Sequence, residues 1–484
     1  VLRRARAVLC AAAAASVLLN AAAGATGADS VPPRNPYLGP AGTASMHGDS
    51  EASDTTRFAG PGTGRVLASF TPLAAACPTI LEGSDGYPQA LCTAIADRTP
   101  TVYLLDPTTG LPLARLALTK GGLLGGVYAY LDNHDELVAA TGDSTIVRVA
   151  HDRGGPGGTW RLYITESHPI ASAVDAFCHP ADCDAISSLS PDYRGRVWFS
   201  TQDGTAGFYD PATHAARSIE LGRGEHIDNS IATAPQGVAV TTDHALYLVA
   251  VDHAGRPYIV WRRAYDRGPA RKPGQLSWGS GSTPTFFGPT DGTDYLTITD
   301  NAVPRENLLV FNSRTGAQLC RLAVLPAGSS GTENSPVGYN RSVYVASTYG
   351  YPYPATPPDA GPSTPATAPF GGGMTRVDLN TSGSGCHAVW SNTVRSSAVP
   401  RLSTSTGRIT TMIRTYPGGG TSTSNADTYS YAVIDSRTGA VLSSQVVGAT
   451  TAEDTLQMVG TIDPSGVYYQ GTVAGFLRIG ALGG

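Results

Sequence analysis

The chain has 484 residues, of which 15% are charged, with 57 Gly, 35 Pro and a formal net charge of −5. Its cations are almost all Arg, Lys occurring only at Lys120 and Lys272, and no basic block tracks a phosphate backbone. Nucleic acid is therefore not an expected partner. Abundant Gly and Pro with so few charges favour many short strands joined by turns.

In chain order, Arg3, Arg4 and Arg6 precede an apolar run from Ala7 to Leu19 and then small residues at Ala25 and Ala28. That pattern predicts a secretion signal over 1–28 rather than a span, because the run is too short to cross a bilayer. No other stretch is long and apolar enough for a span. The Arg bias, the Ala content and Val1 suggest a high-GC bacterial genome. Residues 29–63 are rich in Gly, Pro, Ser and Asp without periodicity and read as an extended linker, with His47, Asp49 and Glu51 solvated.

From residue 64 to 484 one four-strand pattern recurs. Its landmark is a turn of the form Asp-x-x-Thr-Gly after an apolar third strand, as in Asp106-Pro-Thr-Thr-Gly110 and Asp435-Ser-Arg-Thr-Gly439. Asn312-Ser-Arg-Thr-Gly316 is a variant, and Asp210-Pro-Ala-Thr-His214 and Asp378-Leu-Asn-Thr-Ser382 are looser copies. Asp or Asn caps the exposed amides of such a turn, and Gly takes positive φ. Further hairpins at Asp152 and Asp252 complete the series. The last copy, ending in Gly475-Phe-Leu-Arg-Ile479, lacks a fourth strand, and Arg65–Phe70 is available to supply it. The expected fold is an all-β propeller of eight blades closed by this N-terminal strand, with seven blades as the alternative. Loss of residues up to Phe70 should expose a sheet edge and cause aggregation, while a chain starting at Gly64 should stay soluble.

Beyond the signal, six cysteines remain, and an even count in an exported chain favours disulfides. Cys178 and Cys183 bracket a short loop, Cys77 and Cys92 flank the first inner strand, and Cys320–Cys386 follows by elimination.

The turn motif resembles that of the quinoprotein-like, or PQQ-like-repeat, propellers. In that family a docking Trp follows the turn; here Ala114 and Leu322 stand there, with Trp261 and Trp390 the nearest exceptions. The resemblance implies the fold. The family's quinone enzymes use a ring formed by two adjacent cysteines, which this chain lacks, so no cofactor is carried over.

Propeller topology puts the first-to-second and third-to-fourth strand turns on one face, and these are short. The long insertions, Thr165–Ala185, Asp266–Gly281, Tyr349–Gly372 and Tyr416–Thr428, fall on the other. Loops of this length are usually functional or disordered. Four constellations lie there. Glu166 and His168, with Asp175, His179, Asp182 and Asp184, could act as acid and base, though the spacing matches no metal motif. Glu225, His226 and Asp228 sit at the start of an inner strand, pointing at the central channel. Arg262, Arg263, Arg267, Arg271 and Lys272 form a cationic cluster that either reads acidic groups on a polymer or is a solvated outer strand. Tyr349, Tyr351 and Tyr353, alternating with Pro, offer rigid faces for a sugar or a partner's side chain, or pack on themselves.

No nucleophile elbow, Walker loop, zinc-protease helix or EF-hand occurs. The expected function is a secreted, extracellular, monomeric propeller that binds a carbohydrate or a partner protein on its long-loop face near the axis, with Tyr349, Tyr351, Tyr353, Arg271 and Glu333 as ligand contacts. The alternative is a carbohydrate-active enzyme in the central funnel. A uronate lyase would use His226 or His168 as base and Arg271 or Arg395 to neutralise the carboxylate; a hydrolase would draw on Glu225, Glu333 and Glu453.

Overall fold

The computed structural model describes residues 31–121, 128–178, 183–357 and 360–483; the signal segment, His179 and Asp182 lie outside these. Eight sheets form a ring of blades. Blades 1 to 7 run in sequence, each as four antiparallel strands: 75–117, 130–169, 186–220, 232–264, 285–323, 337–392 and 401–448. Blade 8 takes three strands from Gly460–Ile462, Tyr468–Thr472 and Gly475–Ala481. Its fourth is Val66–Pro72, paired antiparallel from Val66 with Ala481 to Pro72 with Gly475. Among the described residues no helix is long and apolar enough to cross a membrane.

The turns seal the blades to one another. In the turn at Asp435 the carboxylate accepts the amides of Arg437 and Thr438, while Gly439 adopts φ +73. Trp390, from the outer strand of blade 6, donates its indole N–H to Ser436 O at 3.0 Å and lies over Gly439, where an added Cβ would sit 2.5 Å from the ring. Trp261 of blade 4 does the same to blade 5, bonding Ser313 O at 3.0 Å over Gly316. The two tryptophans thus dock on the following blade's turn, and the turn glycines serve both conformation and close approach. The three disulfides are Cys77–Cys92, Cys178–Cys183 and Cys320–Cys386. The last ties the outer strands of blades 5 and 6, and the first joins the inner and second strands of blade 1.

Residues 31–63 are not a solvated linker. They fill the channel from the short-turn face and supply hydrogen bonds to the open edges of the inner strands. Carbonyls of Thr43, Ala44, Ser50, Glu51, Ser53 and Asp54 accept the amides of Glu82, Leu131, Thr233, Phe286, Gly338 and Leu402, one from each of six blades. Asn35 adds a bond to Pro191 O in a seventh. Thr55–Thr56 pairs in parallel with the inner strand of blade 7. His47, Glu51 and Asp54 are buried. Asp54 pairs with His47 at 3.0 Å and with Arg401, which is fully buried and donates to Met46 O at 2.6 Å. The physical reason is that the inner strands leave unpaired backbone groups around the axis, and an irregular segment can turn its own carbonyls to them in succession.

Candidate functional site

On the long-loop face a cleft of about 490 Å³ opens between the loops entering and leaving blade 4. Beside it stands Glu225, which is buried and accepts hydrogen bonds from Thr242 at 2.5 Å, Tyr247 at 2.9 Å and Arg262 at 2.7 Å. Burial pushes this carboxyl up, but those three donors outweigh it and hold it below the ordinary carboxylate value. Glu225 is therefore a buried anchor rather than a group facing ligand. The next residue, His226, is exposed; its amide donates to Asp243 Oδ1 at 2.9 Å, and its ring lies 3.4 Å from Asp203.

His226 and Asp228 line the cleft with Asp243, His244, Arg267 and Trp278. Arg267 donates to Asp243 at 2.8 Å and to His244 Nε2 at 2.9 Å. Because a guanidinium only donates, His244 Nε2 accepts, and its Nδ1–H points to Asp243 Oδ1 at 2.8 Å. Both imidazole nitrogens are engaged, which fixes the orientation of the His244 ring. The guanidinium lies 3.8 Å over the Trp278 ring, and the Trp278 indole N–H donates to Arg267 O, so an aromatic surface that is 38% exposed is held rigidly at the cleft wall.

The remaining sequence candidates divide. Arg271 also borders the cleft but is buried, and its guanidinium bonds the carbonyls of Gly361 and Gln275, tethering the 349–372 loop. Lys272 is buried against the carbonyls of Ala302 and Ser330 and the carboxylate of Glu306. Arg262 serves Glu225, and Arg263 bonds the carbonyls of Gly316 and Thr315. The cationic cluster is thus spent internally. Arg395 likewise donates to Gly420 O and Ser422 O. Glu453 caps a short turn by accepting the amides of Ala449 and Thr450.

Tyr351 is 3% exposed, packed against Phe370, with its hydroxyl on Asp454, which also takes Arg414. Tyr349 and Tyr353 are half-buried. The exposed ladder of rings expected here is replaced by a loop packed on itself. Tyr353 turns towards the axis, where its hydroxyl is buried and makes no hydrogen bond. There it lies near Glu333, whose carboxyl accepts the amide of Leu276 at 2.9 Å and is pushed up to about 8 by burial. Glu166 and His168 lie on the outer strand Arg161–Pro169, not in the following loop. Asp184 caps the amides of Ala185 and Asp203. Asp175, Cys178 and Cys183 come within 4.8 Å of one another, but the two sulfurs are bonded to each other.

Sequence reading missed Asp243, His244 and Trp278. The adjacent Asp243-His244 pair in a tight turn and a Trp inside the 266–281 insertion were the available signals.

The ring of eight four-stranded sheets, closed by the strand Val66–Pro72, defines an eight-bladed β-propeller. No family model and no curated protein matches the chain. Among solved structures it is similar to the quinohemoprotein alcohol dehydrogenase of Comamonas testosteroni, at 12% identity and TM-score 0.52 over 92% of this chain and 80% of that one. It is equally similar to Sqt1 of Chaetomium thermophilum, at 10% identity and TM-score 0.51 over 94% and 98%. Likenesses at such identity concern the fold alone.

Proposed function

We propose that the protein is secreted and binds an extracellular carbohydrate or partner protein in the long-loop cleft. The observation that carries this reading is the cleft's wall: an exposed Trp278 braced by Arg267, beside His226, Asp228 and Asp243. A flat aromatic face with fixed polar groups around it is how proteins hold sugar rings and side chains alike. Three disulfides suit an oxidising compartment. Sqt1 has been solved with the N-terminus of a ribosomal protein bound, which makes a protein partner a fair comparison.

The test is a glycan array beside affinity capture from culture medium, using wild type, Trp278→Ala and Asp228→Ala, with Arg437→Ala on the short-turn face as control. Loss of a captured ligand in the first two variants, without loss of melting temperature, supports the cleft. Loss only in the Arg437 variant places the site on the other face.

One observation favours the enzyme reading. Burial pushes the Glu333 carboxyl up to about 8, the direction a general acid needs, and the hydroxyl of Tyr353 stands by without a hydrogen bond. This supports a hydrolase over a uronate lyase, because Arg271 and Arg395 are both committed to carbonyls. New reducing ends from a polysaccharide panel, abolished by Glu333→Gln, would establish it; ultraviolet-absorbing unsaturated products would establish the lyase instead.

A further inference from the structure

Away from the cleft, blades 2 and 3 meet through an unusual contact. The hydroxyl of Tyr209 lies 2.9 Å from His168 Nδ1 and 2.9 Å from His214 Nδ1. The His168 ring stacks on Tyr209 at 4.5 Å between centroids. Tyr209 is 4% exposed, whereas His214 is open to solvent, so the group is buried on one side and reachable from the other.

Two features separate this contact from an ordinary polar cluster. The first is where His214 sits. It ends the turn Asp210-Pro-Ala-Thr-His214, at the position that Gly110, Gly316 and Gly439 hold in the corresponding turns with φ +74, +66 and +73. His214 takes φ +53 there, a left-handed conformation that costs a side-chain-bearing residue stability relative to Gly. Where blades 4 and 5, and blades 6 and 7, put a Trp against a turn Gly, blades 2 and 3 put His168 close to a strained His214. The second is the tautomer of His168. Its Nε2 lies 3.1 Å from Glu166 Oε2, and Glu166 in turn takes Arg148 Nε at 3.1 Å. A carboxylate at Nε2 keeps the proton on that nitrogen and directs the Nδ1 lone pair at Tyr209. This is the outer-shell arrangement that orients a metal-binding imidazole.

We propose that His168, Tyr209 and His214 form a binding site for a divalent transition-metal ion, copper(II) in preference to zinc. Copper(II) takes a tetragonal arrangement, in which bonds of about 2.0 Å at right angles place neighbouring ligand atoms about 2.8 Å apart, whereas tetrahedral zinc needs about 3.3 Å. The two contacts at 2.9 Å match the tetragonal spacing, and the exposed His214 is the member free to adjust. On coordination the phenol proton of Tyr209 leaves to solvent and the His214 proton moves to its outer nitrogen, so two neutral imidazoles and one phenolate face the ion. Solvent completes the coordination sphere. Two imidazoles with an oxygen anion suit copper(II) over zinc by the usual order of affinities.

The experiment uses untagged protein stripped with chelator and titrated with copper sulfate or zinc chloride by calorimetry and absorbance. Wild type is expected to bind one equivalent of copper, more tightly than zinc, and to develop a phenolate-to-copper charge-transfer band. His214→Gly should weaken binding at least tenfold and remove the band while raising the metal-free melting temperature, since it restores the residue the other turns carry. Tyr209→Phe should lose the band, and His253→Ala, an exposed histidine elsewhere, should change nothing. Absence of binding, absence of the band in wild type, or wild-type affinity in His214→Gly overturns the proposal.

Discussion

Glu225 and His226 are neighbours with opposite fates, and the difference is set by what each can reach. Glu225 turns inward to three donors; replacing it with Gln weakens the charged contact with Arg262 and lowers stability by about 1–3 kcal/mol in denaturant unfolding. His226 faces solvent, so His226→Ala should leave the denaturant midpoint unchanged. A second residue-scale consequence concerns pH. Burial pushes Asp49 up to about 6 and Glu82 and Glu333 up to about 8, against ordinary values near 4. A carboxyl whose folded pKa is raised stabilises the fold fully below its unfolded pKa and loses that contribution as pH rises to the folded value. The melting temperature should therefore fall between about pH 5 and 8.5. Glu82→Gln should flatten that slope; an unchanged slope would show that Glu82 does not titrate in this range.

At the scale of elements, Trp-on-turn contacts join blade 4 to blade 5 and blade 6 to blade 7. Trp261 is 6% exposed and spans blades 4 and 5, so Trp261→Ala should cost about 3–5 kcal/mol in denaturant unfolding. Trp278→Ala, at an exposed position, should cost far less, and equal losses would contradict the assignment of one to structure and the other to binding. The turns were legible in sequence because Asp, Thr and Gly at fixed offsets each have a local chemical reason to be there. Strand alternation was legible for the same reason. The docking role of Trp261 and Trp390 was only half legible, since their partners lie in the next blade. The cleft was legible in part: the Glu225–Asp228 segment announced itself, but Asp243, His244 and Trp278 meet it only through folding. Segment 31–63 was not legible at all. Its bonds run through backbone carbonyls, which every residue possesses, so its composition carries no trace of what it pairs with.

Taken whole, the molecule is a ring with its axis stoppered from one side, and this reverses the expectation that a chain starting at Gly64 stays soluble. Deleting 31–63 strips hydrogen-bond acceptors from inner strands of blades 1, 2, 4, 5, 6 and 7 and leaves Arg401 buried without Asp54. The shortened protein should aggregate or bind a hydrophobic dye where the longer one does not, as light scattering and fluorescence would record. The same segment also imposes an order on the protein's making. Residues 31–72 leave the ribosome before every blade, yet their partners reach to Ala481. The stopper can meet each inner strand only as its blade forms, and the closing strand must wait unpaired while seven blades assemble. A chain stalled before Gly475 would hold nearly all of its sheet and none of its closure.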